Sequence, residues 1–202
     1  MKRKRSFSLA SFFSAILAII FLAGCGNNST PGSSNGGNGG NNNGKDPVVA
    51  EPLENGKSFS SDDDVIEVTV PEDWEEIDNL NSSANLQIGN LQKEQYTIAI
   101  SELASDFSDS FGLQEYYDAI IPPMQQNITN AEVSDIENVK IDGNDAIQFH
   151  LTGEVDNIKI TYLITVIKSQ DYFHQIISWT LKSMYTEYED LYKSIAGSLT
   201  EK

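Results

Sequence analysis

Apolar residues alternate with polar ones from Val65 to Val70, placing Ile66, Val68 and Val70 on one face of a predicted strand that Pro71-Glu72-Asp73-Trp74 ends. Leu86 with Ile88, then Tyr96, Ile98 and Ile100, give two further alternating runs. The period then changes. Leu113, Tyr116, Tyr117, Ile120, Ile121 and Met124 recur at helical spacing, an amphipathic helix that Pro122-Pro123 should kink or end near Ile121. Polar residues Asp106 to Ser110 are placed to cap it. Strands resume over Val133–Ile141, Ala146–Leu151, Ile158–Lys168 and Tyr172–Leu181, with a tight turn at Asp142-Gly143-Asn144. Met184, Tyr188, Leu191 and Ile195 mark a closing helix. Three strands, a helix, four strands and a helix predict an α+β domain: a mainly antiparallel sheet of about six or seven strands flanked by helices. Tyr162 to Ile167 is apolar on both faces, the pattern of a central strand covered on two sides.

Ahead of this domain the pattern is different. Lys2, Arg3, Lys4 and Arg5 precede an apolar run from Leu9 to Leu22, 14 residues long. That is short for a bilayer span of ~20 residues and has the flanks of an export signal. Gly26 to Gly44 is built only of Gly, Asn, Ser, Thr and Pro, a composition that cannot form a core. Lys45 to Gly56 extends it, and some 32 residues of such chain span ~30 Å. The expected organisation is a signal peptide over 1–24, a lipidated cysteine and flexible linker over 25–57, and one domain over 58–202.

Charge and cysteine content narrow the function classes. The 202-residue chain has a net charge of -17, and beyond Arg5 it carries nine lysines, no arginine and 30 acids. A body this acidic is repelled by phosphate backbones, so no nucleic-acid partner is expected. Without arginine, bidentate capture of phosphate or carboxylate is missing. The single cysteine, Cys25, forbids an internal disulfide.

The run Leu22-Ala23-Gly24-Cys25 resembles the lipobox of bacterial lipoproteins. The resemblance implies that the Cys25 thiol receives a diacylglyceryl group and that the chain is cut between Gly24 and Cys25. Two acyl chains, at ~0.8 kcal/mol per buried methylene, then hold the protein to the membrane, outside the cytoplasm. Gly26 follows, where an aspartate would signal inner-membrane retention.

The domain is similar to the PsbP-like family, which contains the extrinsic PsbP protein of photosystem II, the Mog nuclear import factor and many bacterial lipoproteins. The matching stretches are Val68–Trp74, the turn Lys140–Gly143 with the strand after it, the pair Tyr162–Lys168 and Tyr172–Trp179, and the helix Tyr185–Ser198. They cover about Ser58 to Lys202, 145 residues. Ser198-Leu199 departs from the Ser-Phe with which the family often ends its last helix, and the basic surface expected for docking on photosystem II is missing. The resemblance implies a binding or accessory module, usually without catalysis. With the export signal ahead of it, an envelope protein is the expected partner.

Candidate chemistry is sparse. His150 and His174 are the only bases of nucleophilic type, both in predicted strands. Asp62-Asp63-Asp64 and Glu72, Asp73, Glu75, Glu76 with Asp78 are weak candidates for a divalent-cation site, without the spacing of a calcium loop. Two of these acids acting as a glycosidase pair is an alternative that no spacing selects. Gly32-Ser33-Ser34-Asn35-Gly36 matches a hydrolase elbow, but strand and helix flanks are absent. No zinc, Walker or dinucleotide motif occurs, so no cofactor is expected. A small-ligand or cation receptor is the alternative function; a two-lobed solute receptor needs a second lobe that 145 residues cannot supply. Trp74 is expected in the core. Tyr185 and Tyr192, one heptad apart and off the Met184–Ile195 stripe, either widen the buried stripe or face a partner.

In cells, Cys25→Ser is expected to leave unprocessed precursor or to release the domain from membranes. Fractionation and the size of the product check this; normal acylation and cleavage of the variant would overturn the lipoprotein reading.

Overall fold

The computed structural model describes residues 48, 49, 51–53 and 55–202. The basic N-terminus, the apolar run, Gly24-Cys25, the linker to Gly44 and the elbow-like match lie outside the described residues. In chain order the described residues form β1 (Val48–Val49), β2 (Lys57–Ser60), β3 (Ile66–Val70), β4 (Glu75–Glu76), β5 (Leu86–Asn90), β6 (Gln95–Leu103), a 3-10 turn (Ala104–Asp106), α1 (Leu113–Gln126), β7 (Thr129–Val133), β8 (Glu137–Ile141), β9 (Asn144–Val155), β10 (Ile158–Lys168), β11 (Tyr172–Leu181), α2 (Tyr185–Gly197) and β12 (Thr200–Glu201).

Nine strands form one sheet in the order β1-β8-β9-β10-β11-β6-β5-β4, with β7 also on β9. All its pairs are antiparallel except β1 on β8, where Val48 lies opposite Val139 and Val49 opposite Lys140. A second sheet, β12-β3-β2, has three strands. The α+β class expected from the sequence is what forms. The strand count exceeds the six or seven expected, because β1, β4 and β12 are two residues long and carry no readable period. The run Val133–Ile141 divides at Ser134–Ile136. There Ser134 accepts the His150 N–H on its Oγ at 2.9 Å and donates its own N–H to the His150 carbonyl at 3.0 Å. Val48–Val49, inside the stretch read as linker, already pairs in the sheet.

Both faces of the large sheet are covered. On one, α1 buries Tyr116, Ile120 and Met124 against Phe149, Ile164, Val166 and Phe173. On the other, α2 and the small sheet bury Ile66, Val68, Val70, Tyr192 and Ile195 against Leu163, Ile167 and Ile176. β10 sits between them, and Tyr162–Ile167 is buried without a break. Trp74 is fully buried, as expected. Tyr185 and Tyr192 are buried too, and they stand nearer the centre of the inner face of α2 than Met184, Tyr188 or Leu191, which are only partly covered.

The structure settles two local expectations about α1: the helix does not end near Ile121, and Asp106–Ser110 does not cap it. The helix runs through Pro122-Pro123 to Gln126. Pro122 and Asp118, whose carbonyl loses its donor, are both exposed, so water can satisfy that group. The inner residues Ile120 and Met124 hold the last turn to the sheet, at 1% and 2% exposure. The cap is Gly112, whose N–H donates to Glu115 Oε2 at 3.0 Å. Asp106–Ser110 is instead used in turns, with Phe107 N–H on Ala104 O and Phe111 N–H on Ser108 O.

Tight turns fix the registers. Asp142 and Gly143 both have positive φ, 48° and 78°, as a two-residue hairpin of type I′ requires. Gly153 lies where β7 crosses β9 through a register shift. A Cβ there would overlap Ile128 Cγ2 and stand 2.9 Å from the Thr129 carbonyl oxygen. Gly153→Ala is expected to lower unfolding stability by about 1–3 kcal/mol through overpacking, measured by urea denaturation.

Candidate functional site

Two places on this frame gather chemistry. The first is a polar cluster on the α2 face. β6 and β11 place Ser101 opposite His174. Ser101 Oγ stands 2.9 Å from His174 Nδ1, and His174 Nε2 stands 3.1 Å from Glu201 Oε2. A carboxylate only accepts, so Nε2 carries the proton toward Glu201 and Nδ1 accepts from the Ser101 hydroxyl. Asn85 accepts the Ser101 N–H and donates to Asp63, which also accepts from Ser61 Oγ at 2.6 Å. Tyr172 stacks on the imidazole. Burial pushes the His174 pKa below its ordinary value, against the opposing pull of Glu201 and Asp63. The imidazole is therefore neutral at neutral pH.

Serine, histidine and a carboxylate in sequence are the parts of a nucleophilic triad. Here they also hold the fold together. His174 is 0% exposed. Glu201 belongs to β12, and the following residue Lys202 bonds Ser60 and Asp64 through its Nζ and Val65 O through its N–H. The cluster ties the C-terminal strand to β11 and to the β2–β3 turn. His150, the other candidate base, faces α2: it lies edge-on to Tyr185 and 3.5 Å from Glu189.

The second place is a cleft of about 520 Å³ at the end of the sheet where β6 and β10 finish and β11 begins. Its walls are the segment Leu103–Phe111 and the turn Lys168–Phe173. Hydrogen bonds hold both walls: Ala104 N–H donates to Asp171 O at 2.8 Å, and Ser169 bridges to Tyr172 through its N–H and hydroxyl. Beneath lies an aromatic cluster. Phe107 stacks on Phe111 at 4.7 Å, both meet Phe173 edge-on, and Phe173 stacks on Tyr116 at 4.7 Å and 7°. The Tyr116 hydroxyl donates to Glu102 and accepts from Gln175 Nε2. Burial, with the Glu102 charge, raises the Tyr116 pKa well above the usual tyrosine value. Lys168 Nζ stands over the Phe173 ring, 5.3 Å from its centroid. Asp109 and Asp171 also line the cleft.

The acidic runs are not gathered into a cation cage. Asp64 pairs with Lys202 at 2.9 Å, and Asp73 with Lys93 at 2.7 Å, which holds the Asp73 carboxyl below its usual pKa. Asp63 is taken up by Ser61 and Asn85, and Glu72, Glu75, Glu76 and Asp62 are exposed. Among the described residues no group of three or more His, Cys, Asp or Glu is placed to hold a metal ion. No described helix is long and apolar enough to cross a membrane.

Neither Ser101 nor Glu201, nor the cleft, was singled out by sequence pattern. Glu201 meets His174 only through the β12–β3 pairing, across 27 residues of chain. For the cleft the available signal was Phe107 and Phe111, two large aromatics inside an otherwise polar stretch.

Unfolding free energy should fall as pH drops below about 6.5, the ordinary histidine value, because the unfolded chain takes a proton that buried His174 refuses. One such proton contributes at most about 1.4 kcal/mol per pH unit, and the loss levels off below the folded pKa. Urea titrations of the native chain and of His174→Gln between neutral and mildly acid pH check this: the variant should show a flatter dependence.

No family model and no curated protein matches the chain. Solved structures do. Cyanobacterial PsbP (CyanoP) from Synechocystis sp. PCC 6803 is similar at a TM-score of 0.56 and 15% identity, over 72% of this chain and 92% of that one. LpqN, described as involved in cell envelope biogenesis of Mycobacterium tuberculosis, is similar at 0.54 and 17%, over 72% and 90%. A variant of Mog1 is similar at 0.50 and 10%, over 72% and 95%. At these identities the likeness is one of fold: the domain has the PsbP-like fold.

Proposed function

We propose that this protein is a lipid-anchored extracytoplasmic lipoprotein of a bacterial envelope. Its PsbP-like domain is a non-catalytic binding module for an envelope protein, and the cleft between Leu103–Phe111 and Lys168–Phe173 is its recognition site. The observation that carries the reading is the cleft itself, where an exposed leucine, Leu103, stands beside an aromatic floor at the end of the sheet at which β1 joins. Across the sheet, Val49, Lys140, Asp145, Lys168, Phe173 and Glu102 are successive strand neighbours. The short strand β1 therefore lies at the cleft end of the sheet, with Val49 level with Lys168 and Phe173.

Three further observations support it. The Leu22–Cys25 motif supplies an anchor of two acyl chains, and the described residues contain no membrane-spanning helix. A PsbP-like fold also occurs in LpqN, a protein of cell envelope biogenesis. The Ser101–His174–Glu201 cluster is spent on closing the fold, which leaves the cleft as the place for recognition. A volume of about 520 Å³ also suits a small ligand, and that is the second reading.

Site-directed photo-crosslinking in living cells separates the two. A photoreactive residue at Ser105, on the cleft, should capture a defined envelope protein. The same residue at Gln92, on the hairpin at the opposite end of the sheet, should not. Capture at Ser105 of nothing beyond what a lipoprotein with the same signal and stalk captures would overturn the protein-partner reading.

A further inference from the structure

We propose that the cleft takes a cationic side chain, lysine or arginine, presented beside an apolar residue on a partner polypeptide. This rests on the cleft being the recognition site. Phe173 offers a ring face at which a cation already stands, the Lys168 ammonium 5.3 Å from the centroid. Lys168 forms no ion pair among the described residues, although Asp109 and Asp171 line the same cleft. A contact of this kind near the surface is worth about 0.5–1 kcal/mol, so a visiting cation can replace the internal one while Lys168 swings into water. The visitor then takes the ring face with Asp109 and Asp171 in the same cleft, which attract it from beyond ion-pair distance.

The apolar part of the match is Leu103. Among the described residues only Leu91 and Leu103 are large hydrophobics with exposed side chains, at 62% and 46%. Leu91 sits on the hairpin at the far end of the sheet, whereas Leu103 stands on the cleft. Long-range charge agrees in sign: nine lysines against 30 acids beyond Arg5 attract a basic partner and repel an acidic one. An anionic occupant would have to enter that field with Lys168 as its one counter-charge in the cleft.

The test is binding of fluorescent hexapeptides by the full mature chain, followed by anisotropy at low salt. The probes alternate Lys with Leu, Glu with Leu, or Lys with Ser. The Lys/Leu peptide should bind best. Asp109→Asn with Asp171→Asn should weaken it several-fold, Leu103→Ser should weaken it and leave the Lys/Ser peptide unchanged, and Lys168→Ala should tighten it about two- to five-fold, the ring contact converted to a binding ratio. Glu75→Gln with Glu76→Gln, two exposed charges at the opposite end of the sheet, should change little. Weakening by Lys168→Ala, or preference for the Glu/Leu peptide, overturns the inference and keeps the cleft as the site. An equal loss from the Glu75/Glu76 pair means diffuse attraction and overturns it as well. If no peptide responds to any cleft variant, the inference fails; the crosslink at Ser105 then decides whether the binding-site reading fails with it.

Discussion

Strand β10 is removed from water on both faces, with Ile164 and Val166 packed on the α1 side and Leu163 and Ile167 on the α2 side. Each face needs a cover, and the chain supplies two of different kinds. One is a single helix, α1. The other is α2 with a three-stranded sheet beside it. Polar residues inside the doubly covered sheet must then find partners within it. Gln148 donates to Thr165 at 3.0 Å, and Thr97 and Ser178 share a hydrogen bond at 2.8 Å. Ser101, His174 and Glu201 belong to the same requirement. A histidine placed on a covered face is kept neutral by burial and satisfied on both ring nitrogens.

This dependence explains why the C-terminus matters out of proportion to its length. β12 is two residues long, yet Glu201 completes the His174 pair and Lys202 bonds Ser60, Asp64 and Val65. The exposed Lys202 contacts contribute little each, since surface ion pairs are worth about 0–1 kcal/mol. The His174 contact differs because its histidine end is fully buried, and loss of the carboxylate leaves a ring N–H without an acceptor. The small sheet and β11 are thus joined by a polar contact at β12, beside the apolar core that they share with α2.

Period carried the legible part of the fold. The alternation at Ile66, Val68 and Val70, the two-sided run in β10 and the 3.6-residue spacing of α1 all reflect burial, and burial is what a one-dimensional pattern records. What escaped the pattern was held by something else. β7 has the burial of a strand at the sheet margin and almost no apolar alternation. The helix crosses Pro122-Pro123 because Ile120 and Met124 anchor it from within, a tertiary effect that local propensity does not contain. The acidic runs looked like ligand sets, but lysines distant in sequence, Lys93 and Lys202, take Asp73 and Asp64. The cleft was invisible for a related reason: its two walls are about 60 residues apart in the chain and meet through a single β6–β11 ladder.

Weak chemistry in the cleft suffices if the partner shares the membrane. Twenty-two residues separate Cys25 from Val48. Under the proposed acylation of Cys25, confinement to one membrane with the partner raises the effective concentration of each for the other. One cation–π contact, two rim carboxylates and a leucine are a small recognition set, and free in solution they would hold a partner only loosely. On a common surface the proposed anchor would already reduce the entropy of encounter, and the same set would become selective: the acidic body disfavours anionic polymers and head groups at a distance, while the proposed cation site at the aromatic floor acts at contact. In the proposed reading the two parts divide the work: the lipid on Cys25 supplies proximity, and the folded domain supplies discrimination.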